Sequence, residues 1–78
     1  MLVSKQIRAG RALVGMGQKE LADRAGIAGA TLRRMEDDNI GPERSTAGAV
    51  QRVQECLESA GVEFTNGEAP GVRLKPKG

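Results

Sequence analysis

Phe64 is the single aromatic residue of this 78-residue chain, which has no tryptophan, tyrosine or histidine. A core without aromatic rings has to be built from Leu, Ile, Val, Met and Ala, and such side chains suit packed helices better than a sheet sandwich. The length allows one domain. Folding at this size removes only roughly 60–65% of the unfolded surface from water, so stability is modest unless a second copy contributes.

The helical pattern is punctuated by glycine. Ser4 is placed to cap a first helix over Lys5–Val14, stopped by Gly15 and Gly17, with Val3, Ile7 and Val14 on one apolar stripe. Gln18 opens a short second helix to Ala25, with Leu21, Ala22 and Ala25 as its apolar face and Glu20 favourably near its positive end. After Gly26 a third helix runs from Gly29 to Glu36 or Asp37. A polar loop over Asp38–Arg44 leads to Ser45 as the next cap, and a fourth helix, Thr46–Ala60, carries Val50, Val53, Leu57 and Ala60 before Gly61.

Beyond Gly61 the hydrophobic period changes from helical to alternating. Val62, Phe64, Val72 and Leu74 alternate with Glu63, Thr65, Arg73 and Lys75, and Asn66-Gly-Glu-Ala-Pro-Gly71 between them is dense in turn formers. The expected fold is therefore mainly α: four helices carrying a helix-turn-helix, followed by a C-terminal β-hairpin. Residues 1–61 form the helical domain, with the helix-turn-helix at about 18–37, and residues 62–78 are its hairpin extension.

Two short helices separated by about three residues need a small residue at their crossing, a positive-φ residue in the turn and aliphatic anchors on the second helix. Ala22, Gly26 and the pair Leu32 and Met35 meet these needs within one run, Gln18-Lys-Glu-Leu-Ala-Asp-Arg-Ala-Gly26-Ile-Ala-Gly-Ala-Thr-Leu32-Arg-Arg-Met35-Glu36. That run resembles the phage-repressor-like helix-turn-helix family, of the Cro and xenobiotic-response-element type, over roughly Ile7–Leu57. The tail, Gly61-Val-Glu-Phe64 and Pro70-Gly-Val-Arg-Leu74, is similar to one that follows this domain in small bacterial proteins. Gly17 and Met16 depart from the family, where Ser or Thr and an aromatic residue are common.

The resemblance implies a four-helix repressor-like fold whose third helix enters the major groove of double-stranded DNA with its outward N-terminal part. With about 100° between successive residues, Leu32, Met35 and Glu36 share the inward side, while Ala30 and Arg34 point away, flanked by Arg33 and Asp37. Arg34 is the candidate for a base contact, since its fork matches guanine O6 and N7. Thr31 is placed for a thymine methyl or a phosphate, and Gly29 and Ala30 for close approach. Gln18, at the start of the second helix, is expected to meet a phosphate, with Lys19 and Arg44 supplying charge. Lys5, Arg24 and Arg52 read as solvated surface. Asp37 and Asp38 are spaced to pair with Arg33 and Arg34. Arg11, on the inward stripe of the first helix, needs a partner, and Glu36 is expected to form a structural ion pair with it.

The net charge of +2, from 12 basic and 10 acidic residues, does not by itself indicate nucleic acid. Its distribution is more informative: Lys5, Arg8, Arg11, Lys19, Arg24, Arg33 and Arg34 precede an acidic stretch over Glu36–Glu43, and Arg73, Lys75 and Lys77 make the tail basic. The lone Cys56 has no second cysteine for a disulfide and no histidine to act as its base, which argues for a packed thiol in a reducing, cytoplasmic setting. No metal cluster, phosphate-binding glycine loop, membrane span or signal segment is apparent, so no catalysis, cofactor or membrane association is expected. The expected function is transcriptional regulation, as a repressor occupying an operator in homodimeric form. The hairpin is expected to seat the second chain; the alternative weighed is that it folds back over Val53 and Leu57. A second functional reading is a protein-interaction module, such as an antitoxin-like partner, on a helix-turn-helix scaffold.

Overall fold

The computed structural model describes residues 2–76 and places four α-helices before a two-stranded hairpin. Lys77, and the outermost residues Met1 and Gly78 of the two expected segments, lie outside the described residues. Helix α1 spans Ser4–Val14, α2 Gln18–Ala25, α3 Gly29–Glu36 and α4 Ala47–Ser59, with a 3-10 turn at Pro42–Arg44. Strands β1 (Val62–Asn66) and β2 (Pro70–Leu74) pair antiparallel, Val62 opposite Leu74 and Phe64 opposite Val72.

Three local expectations shift. Ser4 is the first residue of α1 and not its cap; that position belongs to Val3, which is extended at φ −107° and ψ 163°. The cap is supplied by Gln6, whose Oε1 accepts from the Val3 N–H at 2.9 Å while its own N–H donates to the Val3 carbonyl at 3.0 Å. Leu2, just before the cap, and Ile7, in the next turn, are both fully buried, the spacing of a hydrophobic staple. Leu2 thereby takes the core position expected of Val3, which is exposed. At α4 the cap is Thr46, not Ser45: its Oγ1 accepts from the Ala49 N–H at 3.1 Å, and the Ser45 N–H instead closes the 3-10 turn on Pro42. The hairpin strands extend into the expected turn, leaving only residues 67–69 as the loop.

Helices α1 and α2 end on Gly15 and Gly26, both left-handed, and each is closed by a bond from the following residue back across the last turn: Met16 N–H to Arg11 and Ile27 N–H to Ala22, both at 3.0 Å. Gly26, at φ 70°, therefore sets the direction in which α3 leaves α2. Leu21, Leu32, Met35, Val53 and Leu57 join Ile7 in one aliphatic core, with α2 against both α3 and α4. No described helix is long and apolar enough to cross a membrane.

The hairpin lies on its own chain, principally along α1, with β1 also against α4. Val62 is fully buried, Phe64 and Val72 pack on the core, and Leu74 alone of the alternating set is exposed. The apolar face expected to receive a second chain is thus largely covered within the protomer. Gly10 permits this approach: a Cβ there would lie 3.4 Å from Leu57, 3.6 Å from Val62 and 3.7 Å from Phe64. Buried Gln6 locks the tip, its Nε2 donating to the carbonyls of Thr65 (3.2 Å) and Gly71 (3.1 Å) and to Asn66 Oδ1 (3.3 Å). Gln6→Leu removes these donors and the α1 cap together, and is expected to lower stability by about 1–3 kcal/mol in urea denaturation. The hairpin amides should also exchange faster; unchanged stability and protection would contradict this role.

Candidate nucleic-acid interface

The surface of α3 is oriented from beneath by Glu36, whose side chain is 3% exposed. A carboxylate so buried requires donors. Arg11 Nε donates to its Oε2 at 2.7 Å and Nη2 to Oε1 at 2.8 Å, a two-pronged pair. Gln18 Nε2 adds a bond to Oε1 at 3.0 Å, and Arg11 Nη1 reaches the Met16 carbonyl at 3.2 Å. The bond to Glu36 holds the Arg11 pKa above its ordinary value, against the opposing effect of burial. Glu36 thus joins the end of α1, the start of α2 and the end of α3.

A second latch lies outside the first. Arg8 grips Asp38 at 2.9 and 3.3 Å and also donates to the Glu36 carbonyl, while Ser4 Oγ donates to Asp38 Oδ1 at 2.6 Å. This corrects the expectation that Asp37 and Asp38 pair with Arg33 and Arg34. Helix α3 stops at Glu36 and Asp37 is extended (φ −81°, ψ 122°), so neither aspartate continues the helical spacing such pairs need. Asp37 accepts from the Asn39 N–H at 2.8 Å instead.

With the aspartates turned away, Arg33 and Arg34 stand exposed on α3 beside Gly29 and Ala30. Arg33 folds back toward the helix start, its Nη1 lying 3.4 Å from where a Gly29 Cβ would be. Arg34 reaches half-buried Thr31, a long contact at 3.4 Å. A shallow hollow lies on each side of α3. One, of about 370 Å³, brings together Gln18, Lys19, Asp23, Gly29 and Arg33. The other, of about 430 Å³, is shared by Thr31, Arg34, Arg44, Ser45, Thr46 and Arg52.

The sequence-assigned residues therefore divide. Gly29, Ala30, Arg33, Arg34 and Arg44 are exposed, and Thr31 is half-buried at the edge of the second hollow. Gln18, expected to offer its side chain to a phosphate, spends one of its two side-chain N–H groups on Glu36, while the backbone N–H groups of the first α2 turn have no partner within the helix. Lys19 is exposed but bonded to Asp23 at 2.8 Å. Arg52, read from sequence as solvated surface, is exposed, and it stands with Arg34 and Arg44 on the second hollow, a neighbourhood that no spacing in the sequence signals. Among the described residues Arg8, Arg11, Lys19, Arg24 and Arg73 are salt-bridged, whereas Arg33, Arg34, Arg44 and Arg52 have no carboxylate partner.

No family model matches the sequence, and no curated protein matches it significantly. The functional reading consequently rests on the residues and their geometry.

Two outcomes follow from the latches. Arg11→Met leaves Glu36 buried without its main partner and should cost about 3 kcal/mol in denaturant unfolding, the low end for such a pair because Arg11 is partly exposed. Stability equal to the wild type would mean that the pair does not hold the helices together. Bonds from Arg8 and then Ser4 hold the Asp38 carboxyl well below its usual range, at about 2. Because the folded value is depressed, its contribution to stability is complete above the ordinary carboxylate value of about 3.9 and disappears as pH falls through the folded value. A carbon-13 titration of Asp38 should show the low midpoint, and Arg8→Gln should raise it; an ordinary midpoint in the wild type would contradict the latch.

Proposed function

We propose that this chain is a DNA-binding transcriptional regulator, a repressor that occupies its operator as a homodimer in the cytoplasm, and that it performs no catalysis. The observation that carries the reading is the collection of carboxylate-free arginines around the exposed face of α3: Arg33 beside one hollow, Arg34 and Arg44 beside the other. Small residues at the helix start, Gly29 and Ala30, allow the backbone to approach base edges closely. In this reading α3 lies in the major groove, Arg34 contacts a guanine, Thr31 a methyl group or phosphate, and Arg33, Lys19 and Arg44 the flanking backbone. The first turn of α2 offers its N–H groups to a phosphate, consistent with Gln18 having turned its side chain inward.

A homodimer supplies the two recognition helices that a two-half-site operator requires. The open outer edges of the hairpin and the exposed apolar residues Val3, Leu13 and Leu74 are the surfaces left for it, since most of the hairpin face is covered. One observation favours the second reading, a protein-interaction module: the largely apolar hollow between α1 and β2, edged by Val3, Ala9, Pro70 and Val72.

Fluorescence anisotropy with random and selected duplexes tests the proposal. The wild type should bind with an affinity that falls steeply with salt. Arg34→Ala should lose about 1–3 kcal/mol on preferred sites and little on random duplex. Equal, weak and salt-insensitive binding by both proteins would remove the DNA reading and leave the interaction module.

A further inference from the structure

The hollow between α3 and α4 is lined by no carboxylate, unlike the one beside α2, which includes Asp23. Three arginines converge on it from separate elements: Arg34 from α3, Arg44 from the 3-10 turn and Arg52 from the second turn of α4. Like charges gathered without a counter-ion repel one another, and an anion placed among them relieves that repulsion. The walls add hydroxyl groups from Thr31, Ser45 and Thr46. Thr46 Oγ1 already accepts from the Ala49 N–H, so its own proton is free to donate into the hollow.

We propose that this hollow is a phosphate seat and that Arg52 is one of its binding residues, acting with Arg44 and Arg34. Guanidinium groups suit the task because their forked donors match two phosphate oxygens at once. Arg44 precedes α4 and Arg52 lies in its second turn, on either side of a helix start that carries the positive end of the dipole and whose Ala49 N–H is already taken by Thr46. Thr46 helps twice, by ordering that helix start and by offering its hydroxyl proton. The phosphate has two sources: a backbone phosphate of bound DNA, which rests on the function proposed above, or a free polyphosphate, which does not.

Two measurements on the full chain separate these sources. In the first, sodium pyrophosphate is titrated into nitrogen-15-labelled protein while the arginine Nε–Hε signals are followed. In the second, duplex binding is measured between about 50 and 200 mM salt for wild type, Arg52→Gln and, as a control outside both hollows, Lys5→Gln, which should keep the wild-type slope. Arg52 is exposed and unpaired, so its replacement should leave the thermal midpoint unchanged. The seat predicts saturable shifts at Arg44 and Arg52, with affinity at least about fivefold weaker in Arg52→Gln, or a duplex salt slope smaller by about 0.9 in that variant. A reduced duplex slope identifies the DNA backbone as the source. Saturable pyrophosphate binding by a wild type that binds no duplex identifies free polyphosphate, keeps the seat and removes the DNA function. The seat is overturned if pyrophosphate gives no saturable shift, or one indifferent to Arg52→Gln, while that variant also leaves duplex binding and its salt slope as in the wild type.

Discussion

Glu36 imposes the constraint on which the arrangement of helices depends. Its side chain retains 3% exposure, and a carboxylate in that position is tolerable only with donors on both oxygens. Arg11 serves both and Gln18 serves one, so residues from α1 and α2 must converge on the last turn of α3. Such a buried pair adds little net stability compared with an apolar replacement; what it supplies is direction. With Glu36 held inward and Leu32 one turn before it in the core, the roll of α3 about its axis is determined. Ala30, Arg33 and Arg34 face outward for that reason.

Helix α1 carries this constraint to the rest of the molecule by presenting different chemistry to different neighbours. Ser4, Arg8 and Arg11 reach α3 and the loop after it, whereas Gln6 and Gly10 meet the hairpin. Gly10 contributes by absence, since without a side chain there Val62 and Phe64 lie close against the helix. A core without large rings is thin, and the hairpin acts as its cover: buried Val62 and the partly buried Phe64 and Val72 close the side of α1 that α3 does not reach. That use of the hairpin explains why so little of its alternating apolar pattern remains for a partner.

Features set by local chemistry or strict period were legible in the sequence. The bounds of α2 and α3 follow from Gly17, Gly26 and the apolar spacing, and they coincide with those observed. The Arg11–Glu36 pair was legible because an arginine on an inward stripe has few tolerable outcomes. Other features were decided by competition between near-equal local options. Ser4 and Ser45 are both good capping residues, yet burial of Leu2 moved one helix start and closure of the 3-10 turn at Pro42 moved the other. Helical spacing points Asp38 to Arg34, whereas its partners Arg8 and Ser4 lie about thirty residues away, beyond any such rule. The company Arg52 keeps is illegible for a related reason: only the fold brings the second turn of α4 beside the 3-10 turn and α3.

The small net charge of +2 is consequently a poor guide to what this surface can attract. Pairing within the fold sorts the arginines and Lys19 into two populations, while Lys5 on α1 and Lys75 after β2 are exposed without a carboxylate partner. Lys19 and Arg24 face acidic residues one turn away, Arg73 faces Glu63 across the hairpin, and Arg8 and Arg11 are spent on Asp38 and Glu36. Arg33, Arg34, Arg44 and Arg52 remain uncompensated and adjoin the two hollows that flank α3. At physiological ionic strength exposed charges act over about 8 Å, so a distant polyanion senses mostly the near-neutral whole and a docked one senses the arginines. For the proposed DNA-binding role, this gives weak long-range attraction and strong dependence on orientation. A duplex gains from the electrostatics chiefly when α3 faces it, which is also the orientation in which Arg34 can reach a base. In that proposed role the internal ion pairs serve selectivity twice, by aiming α3 and by neutralising Arg8, Arg11, Lys19, Arg24 and Arg73, so that Lys5 and Lys75 are the only unpaired bases away from α3 among the described residues.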